Sequence, residues 1–140
     1  MKSFLLSAGF LALFYHIPAL PDLAPLHIKG VTTINLHQAK RLHDIGVPFI
    51  DIRPRQQWQW GHISQSYNLE LQESFKQLIN SNETKKNTPL VIYGSSLYRM
   101  HGAIASYLAT LWGYQRIFFL REGYYAWLAK DFPVSLQSDQ

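Results

Sequence analysis

The 140-residue chain contains no cysteine. That absence removes disulfides, thiolate metal sites and thiol catalysis together, and it leaves the redox compartment unread. Charge is sparse as well: 16% of residues are Asp, Glu, Lys or Arg, and the formal net charge of +4 is spread along the chain rather than gathered into a run. Lys85-Lys86 is a local pair in a polar stretch. Without a basic stripe interleaved with aromatics, nucleic acid is not an expected partner. The six histidines include no i, i+4 pair backed by a carboxylate, and His37 and His43 fall on nearly opposed faces of their helix, so no metal is expected. No cofactor motif and no internal repeat stand out. What is abundant is apolar: 47% hydrophobic and 14% aromatic residues suit one compact domain and leave no room for a second.

The longest apolar run lies at the start. Lys2 is followed by Phe4 to Tyr15, interrupted only by Ser7 and Gly9, which has the proportions of a secretory h-region. Continued to Leu20 it approaches the roughly 20 residues of a membrane span, although His16 and Pro18 weaken its far end. A small-x-small cleavage site is missing, since Pro21-Asp22-Leu23 precedes Ala24 and His16-Ile17-Pro18 precedes Ala19. Residues 1–20 are therefore read as a signal peptide or, preferably, an uncleaved anchor, against the alternative of a helix packed on the domain. With Lys2 on the cytoplasmic side, the domain would lie outside the cytoplasm, in the periplasm if the source is bacterial. Residues 21–29, with Pro21 and Pro25, read as a stiff linker.

From Gly30 to Val134 strand and helix patterns alternate. Val31–Ile34 is a short strand, and Asn35 with Gln38 forms a capping box for a helix burying Leu36, Ala39, Leu42 and Ile45. Phe49–Arg53 is a second strand, with two charged residues near its carboxyl end, where ligands collect in open α/β sheets. Pro54 opens a short helix holding Trp58 and Trp60, closed by Gly61-His62-Ile63, whose histidine would tie down the turn. Tyr67–Leu69 is a third strand, followed by a helix with Leu71, Phe75, Leu78 and Ile79 inward and a solvated loop from Ser81 to Thr88. Leu90–Tyr93 is a strand buried on both faces. Met100, Ala103, Ile104, Tyr107, Leu108 and Leu111 then mark one face of a helix. Ile117–Leu120 is the last strand, and a final helix turns Tyr124, Trp127 and Leu128 inward. Residues 135–140 read as a loose tail. The fold class is α/β: a five-stranded, mainly parallel sheet with helices on both faces.

Between the fourth strand and its helix lies Gly94-Ser95-Ser96-Leu97-Tyr98-Arg99. Amides converging on an open helix N-terminus make an anion cradle, and Arg99 adds a fixed charge, unless it is simply solvated there. The strand-end position, where a nucleophile would stand, is Gly94. Asp51 and Arg53 either line the same mouth or form an ion pair that fixes their strand end.

These residues resemble a rhodanese-homology domain over about residues 30–134. The resemblance rests on Phe49-Ile50-Asp51-Ile52-Arg53, on Trp60-Gly61-His62-Ile63 with Tyr67-Asn68-Leu69, on the strand, loop and arginine of 90–99, and on Gly113-Tyr114 with Leu120 to Trp127. It implies a single-domain fold whose active loop starts with a cysteine that carries sulfane sulfur as a persulfide, with an arginine five residues later. Here those positions are Gly94 and Arg99, and Leu97 stands where the family commonly has a loop glycine. A persulfide needs a thiolate, which nothing in this chain supplies. Ser95 and Ser96 lack an evident base, and His101, two residues past Arg99, reads as solvated or capping. The expectation is a catalytically inactive domain that binds a small anion or a protein partner at the membrane. Its alternative is a sulfurtransferase-family enzyme with residual or partner-assisted transfer.

Overall fold

The computed structural model describes residues 22–136; the apolar run at 4–20 and the tail beyond Leu136 lie outside the described residues. Five strands form one sheet: β1 (Val31–Ile34), β2 (Phe49–Asp51), β4 (Tyr67–Asn68), β5 (Leu90–Tyr93) and β6 (Ile117–Leu120), in the order β1-β6-β5-β2-β4. Every neighbouring pair is parallel. The sheet is thus the α/β layer expected from the alternating patterns. A two-stranded antiparallel ribbon, β3 (His62–Ile63) with β7 (Val134–Ser135), is an addition no periodicity announced.

Side-chain alternation sorts the core onto two faces. Phe49, Val91, Tyr93 and Leu120 point to one face, where α1 (Leu36–Asp44) and α5 (Gly123–Ala129) bring Leu36, Ala39, Tyr124 and Trp127. Ile50, Leu90, Ile92 and Ile117 point to the other, covered by α4 (His101–Leu111) and by a 3-10 helix at Phe75–Asn80. Two short helices, α2 (Arg55–Trp60) and α3 (Glu83–Lys86), complete the chain. The capping box of α1 is formed as expected: Gln38 N donates to Asn35 Oδ1 and Asn35 N to Gln38 Oε1, both at 2.8 Å.

Several expectations are corrected. The largest concerns α4: Met100, Ile104, Tyr107 and Leu111 face outward, 41–61% exposed, while Gly102, Ala103, Ala105, Ser106 and Ala109 are buried. The reason is distance. A Cβ on Gly102 would come within 2.8 Å of the Phe119 ring, so the helix lies too close to the sheet for large side chains between them. Ile45, Ile79 and Leu128 are likewise exposed, because each sits at or near the end of its helix, past the edge of the packed face. The loop from Ser81 to Thr88 contains α3, capped by Asn82 Oδ1 accepting from Lys85 N at 2.9 Å. Strand β2 ends at Asp51, so Arg53 belongs to the connection after it.

Both boundary segments are also tied down. Ser135 pairs with His62, so the tail begins later than its polarity suggests. The linker packs on the domain: Ala24 is 1% exposed, its N–H donates to Leu97 O at 2.7 Å, its carbonyl accepts from Arg121 Nε at 2.7 Å, and Thr33 Oγ1 donates to Leu26 O at 2.7 Å.

The close approach of α4 predicts that Ala105→Leu overpacks the sheet and destabilises the fold by about 1–3 kcal/mol. Leu111→Ala, on the outer face, should change stability by less than about 0.5 kcal/mol. Urea unfolding of both variants checks this, and similar losses would contradict the assigned helix face.

Candidate functional site

Parallel register aligns the carboxyl ends of three adjacent strands: Asp51 stands beside Tyr93, and Tyr93 beside Leu120. The chain leaves β5 at this level as the loop Gly94–Arg99, and its carbonyl oxygens are held from outside. Gly94 O accepts from Tyr124 N at 2.9 Å and Ser95 O from Tyr125 N at 3.1 Å, which satisfies first-turn amides of α5 that have no intrahelical partner. Ser96 O accepts from Arg99 N at 3.2 Å, and Leu97 O from Ala24 N. Where the loop presses on α5 only glycine fits: at Gly123, with φ +77°, a Cβ would lie 2.7 Å from the Ser95 carbonyl.

Peptide planarity converts these contacts into a statement about the amides. No peptide bond in the described chain is cis, so each N–H points opposite to the preceding C=O. With Gly94 O and Ser95 O turned toward α5, the N–H groups of Ser95 and Ser96 turn away from it together. Neither these amides nor that of Leu97 has an acceptor among the described residues. The Tyr98 amide is spent on Ser96 Oγ at 3.3 Å and that of Arg99 on Ser96 O. Of the loop residues singled out from the sequence, Ser95, Ser96 and Leu97 therefore keep free donors, whereas Tyr98 turns its ring to solvent, 61% exposed.

A cavity of about 190 Å³ opens beside the loop, lined by Ile52, Arg53, Pro54, Gln57, Ser95, Arg99 and His101. No carboxylate lines it. Arg99 is exposed at its rim, and His101 opens α4, whose first-turn amides lie alongside. Gln57 carries no signal in the sequence. His101 had one in its nearness to Arg99; it is exposed, makes no capping hydrogen bond and lines the cavity.

Asp51 and Arg53 sit beneath, 0% and 2% exposed, as an ion pair whose arginine also reaches the cavity wall. Arg53 Nη2 donates to Asp51 Oδ2 at 2.7 Å and to Gly61 O at 2.6 Å, Arg53 Nε to Asp51 Oδ1 at 3.1 Å, and the Arg53 amide to the same Oδ1 at 2.9 Å. The guanidinium also lies over the Tyr124 ring, 4.1 Å from its centre, a cation–π contact. Burial would lower the Arg53 pKa, but the hydrogen bonds and charge of Asp51 outweigh it and hold the group above its ordinary range. Burial, reinforced by the Asp51 charge, pushes the Tyr93 hydroxyl well above its ordinary range. That hydroxyl accepts from Ile63 N at 3.1 Å and shares a 3.0 Å hydrogen bond with Ser66 Oγ, which in turn accepts from Trp58 Nε1 at 3.2 Å. His62 does tie down its turn: Nδ1 donates to Trp58 O at 2.7 Å and the ring stacks on Trp58. The pair thus fixes the Gly61 turn and α5, and through α5 the loop.

Position 94 itself has room. A Cβ there meets Ile52 Cδ1 at 3.4 Å and Gly102 N at 3.5 Å, ordinary contacts beside the first turn of α4. The pocket is walled without a carboxylate, and Gly94 at the head of the loop offers no nucleophile.

Comparison with known proteins agrees with this fold. Residues 35–130 match the family model described as Rhodanese-like domain. The chain is 28% identical over 149 residues to Rhodanese-like domain-containing protein 17 of Arabidopsis thaliana, covering 98% of this chain and 90% of that protein. Its fold is similar to that of the Alr3790 protein from Anabaena sp., with TM-score 0.64 and 21% identity over 74% of this chain and 92% of that one. It is also similar to the human single domain sulfurtransferase TSTD1, with TM-score 0.61 and 20% identity over 70% and 96% of the two chains. At these identities the solved structures speak for the fold alone.

Two outcomes follow. Asp51→Asn strands a buried guanidinium and should cost about 3–5 kcal/mol in urea unfolding, whereas Asp44→Asn, which breaks the exposed pair with Lys40, should cost under about 1 kcal/mol. Equal losses would show that the buried pair does not hold the site. In Gly94→Cys, the α4 N-terminus and Arg99 should depress the thiol pKa below its usual value of about 8.5, read from the pH dependence of alkylation. A value at or above that figure would contradict the cradle.

Proposed function

Because the chain belongs to the rhodanese-like domain family yet has glycine at the head of its loop, we propose that it binds an anion without transferring sulfur. The ligand is a small oxyanion or an anionic group on a protein partner. The free amides of Ser95, Ser96 and Leu97 receive it, and Arg99 adds charge at the rim. The observation that carries this reading is that the loop keeps three unpaired amides, with Ser95 lining a cavity that has no carboxylate in its wall, while the position that would hold a nucleophile bears only hydrogen. At about 190 Å³ the cavity falls below the roughly 300 Å³ at which drug-sized pockets begin, which favours a ligand the size of sulfate, thiosulfate or phosphate. Asp51 and Arg53 support the rim from below: Arg53 Nε and Nη2 are spent on Asp51 and Gly61, so where Arg53 lines the cavity only its Nη1, without a partner among the described residues, is left for the ligand. In this reading residues 4–20 hold the domain at a membrane, outside the cytoplasm. Among the described residues no helix is long and apolar enough to cross one.

A second reading has one observation in its favour: the cavity beside Ser95 gives a partner's thiol a route to the loop, restoring transfer within a complex. It differs from the first in needing that partner for any turnover.

The test of anion binding is thermal unfolding with added sulfate or thiosulfate. At a concentration a hundredfold above Kd, binding adds about 2.7 kcal/mol, a rise of several degrees in Tm. Arg99→Ala should reduce that rise sharply while leaving the unliganded Tm unchanged, because Arg99 is exposed. No rise, or one indifferent to Arg99, would overturn the proposal.

A further inference from the structure

The linker ahead of the domain is a strap rather than a spacer, and it ends beside the loop. Ala24 packs between Ala103 of α4 and Phe119 of β6, and its two backbone bonds reach Leu97 and Arg121. Farther on, Gly30 lies against Thr110, near the other end of α4. The strap therefore runs along one flank of α4 and emerges at the helix's N-terminal end.

That flank borders an apolar face. Ile104, Tyr107 and Leu111 project from α4 away from the sheet, Tyr98 stands just before it, and Leu23 and Leu26 stand on the strap, all 44–61% exposed. Helix α4 carries no Asp, Glu, Lys or Arg; the exposed Arg99 and Lys29 stand at the margin of the face, and Asp22, beside Leu23, is the one acidic residue on the described strap. Aromatic rings and apolar side chains with basic residues at the margin are the composition of a surface that rests in the lipid interface.

We infer that the outer face of α4, together with the strap, lies on the bilayer surface, so that the loop Gly94–Arg99 opens beside the lipid headgroups. This rests on the reading of residues 4–20 as an anchor. Chain length supplies the argument for lipid as the occupant. Leu20 closes the apolar run and Ala24 is already docked, so only three residues, spanning at most roughly 14 Å from Leu20 to Ala24, separate them. A domain of this size has a radius of gyration near 13 Å and is about 34 Å across. So short a tether keeps the α4 flank at the membrane and the opposite face of the sheet away from it. An anion reaching the loop would then come from the interface or from a protein seated in it.

The absence of cysteine makes the test clean, since one introduced thiol takes one label. Full-length Tyr107→Cys and Ile45→Cys are labelled with bimane and reconstituted into phosphatidylcholine–phosphatidylglycerol vesicles carrying spin-labelled lipid. Ile45 is the control: it is more exposed than Tyr107, at 77% against 44%, and lies on the opposite face of the sheet. The expected result is at least twofold stronger quenching at 107 than at 45. Vesicle-bound protein with equal quenching at both positions would overturn the orientation while leaving the anchor intact. Protein that does not sediment with vesicles would overturn the anchor and the orientation with it. Shielding of the 107 label before lipid is added would assign this face to residues 4–20 or to a second copy, and would also overturn the inference.

Discussion

The loop after β5 is held by its carbonyl oxygens, and most of what is distinctive in the molecule follows from that. Two of them cap α5, which requires the left-handed glycine at 123 so that the loop can press against the helix start. A third is taken by Ala24, which draws the strap onto the domain. Because a trans peptide sets N–H opposite to C=O, binding the loop through its oxygens leaves amides of Ser95 and Ser96 facing away from α5, without partners. The same constraint that fixes the loop therefore leaves it with unpaired donors, on which the anion-binding proposal rests.

The support beneath the loop is electrostatic and desolvated. Arg53 gathers Asp51, the Gly61 carbonyl and the Tyr124 ring around one buried charge, so β2, the turn before β3 and the first turn of α5 are joined at one point. Buried pairs of this kind add little net stability compared with apolar packing, but they are intolerant of losing one partner. Their use here is positional. The loop thus keeps unpaired amides at Ser95, Ser96 and Leu97 and lacks the soft, ionisable side chain that sulfur transfer requires.

Much of the fold was legible because parallel α/β architecture writes itself as alternating apolar patterns. The five strands of the sheet, the capping box at Asn35 and the short helix after Pro54 all follow from local chemistry. The outward face of α4 did not, since a period of 3.6 in large apolar residues is ordinarily a buried stripe. Only the close approach permitted by Gly102, Ala105 and Ala109 reverses it, and that is a property of packing rather than of periodicity. Two-residue strands such as β3 and β7 are too short to show alternation. At the site, Gly94, Arg99, Asp51 and Arg53 stood out by position and charge, but their division of labour was hidden. Whether a charged pair is closed on itself or open to a ligand depends on groups distant in sequence, here Gly61 and Tyr124. The role of Ala24 left no trace, because a backbone bond needs no particular side chain.

The central claim is that this chain, alone, cannot carry sulfur. The most direct measurement is the intact mass of the purified protein after incubation with thiosulfate, followed by a cyanide chase. The account predicts an unchanged mass and no thiocyanate. A protein heavier by one sulfur atom, returned to its starting mass as cyanide becomes thiocyanate, would contradict it.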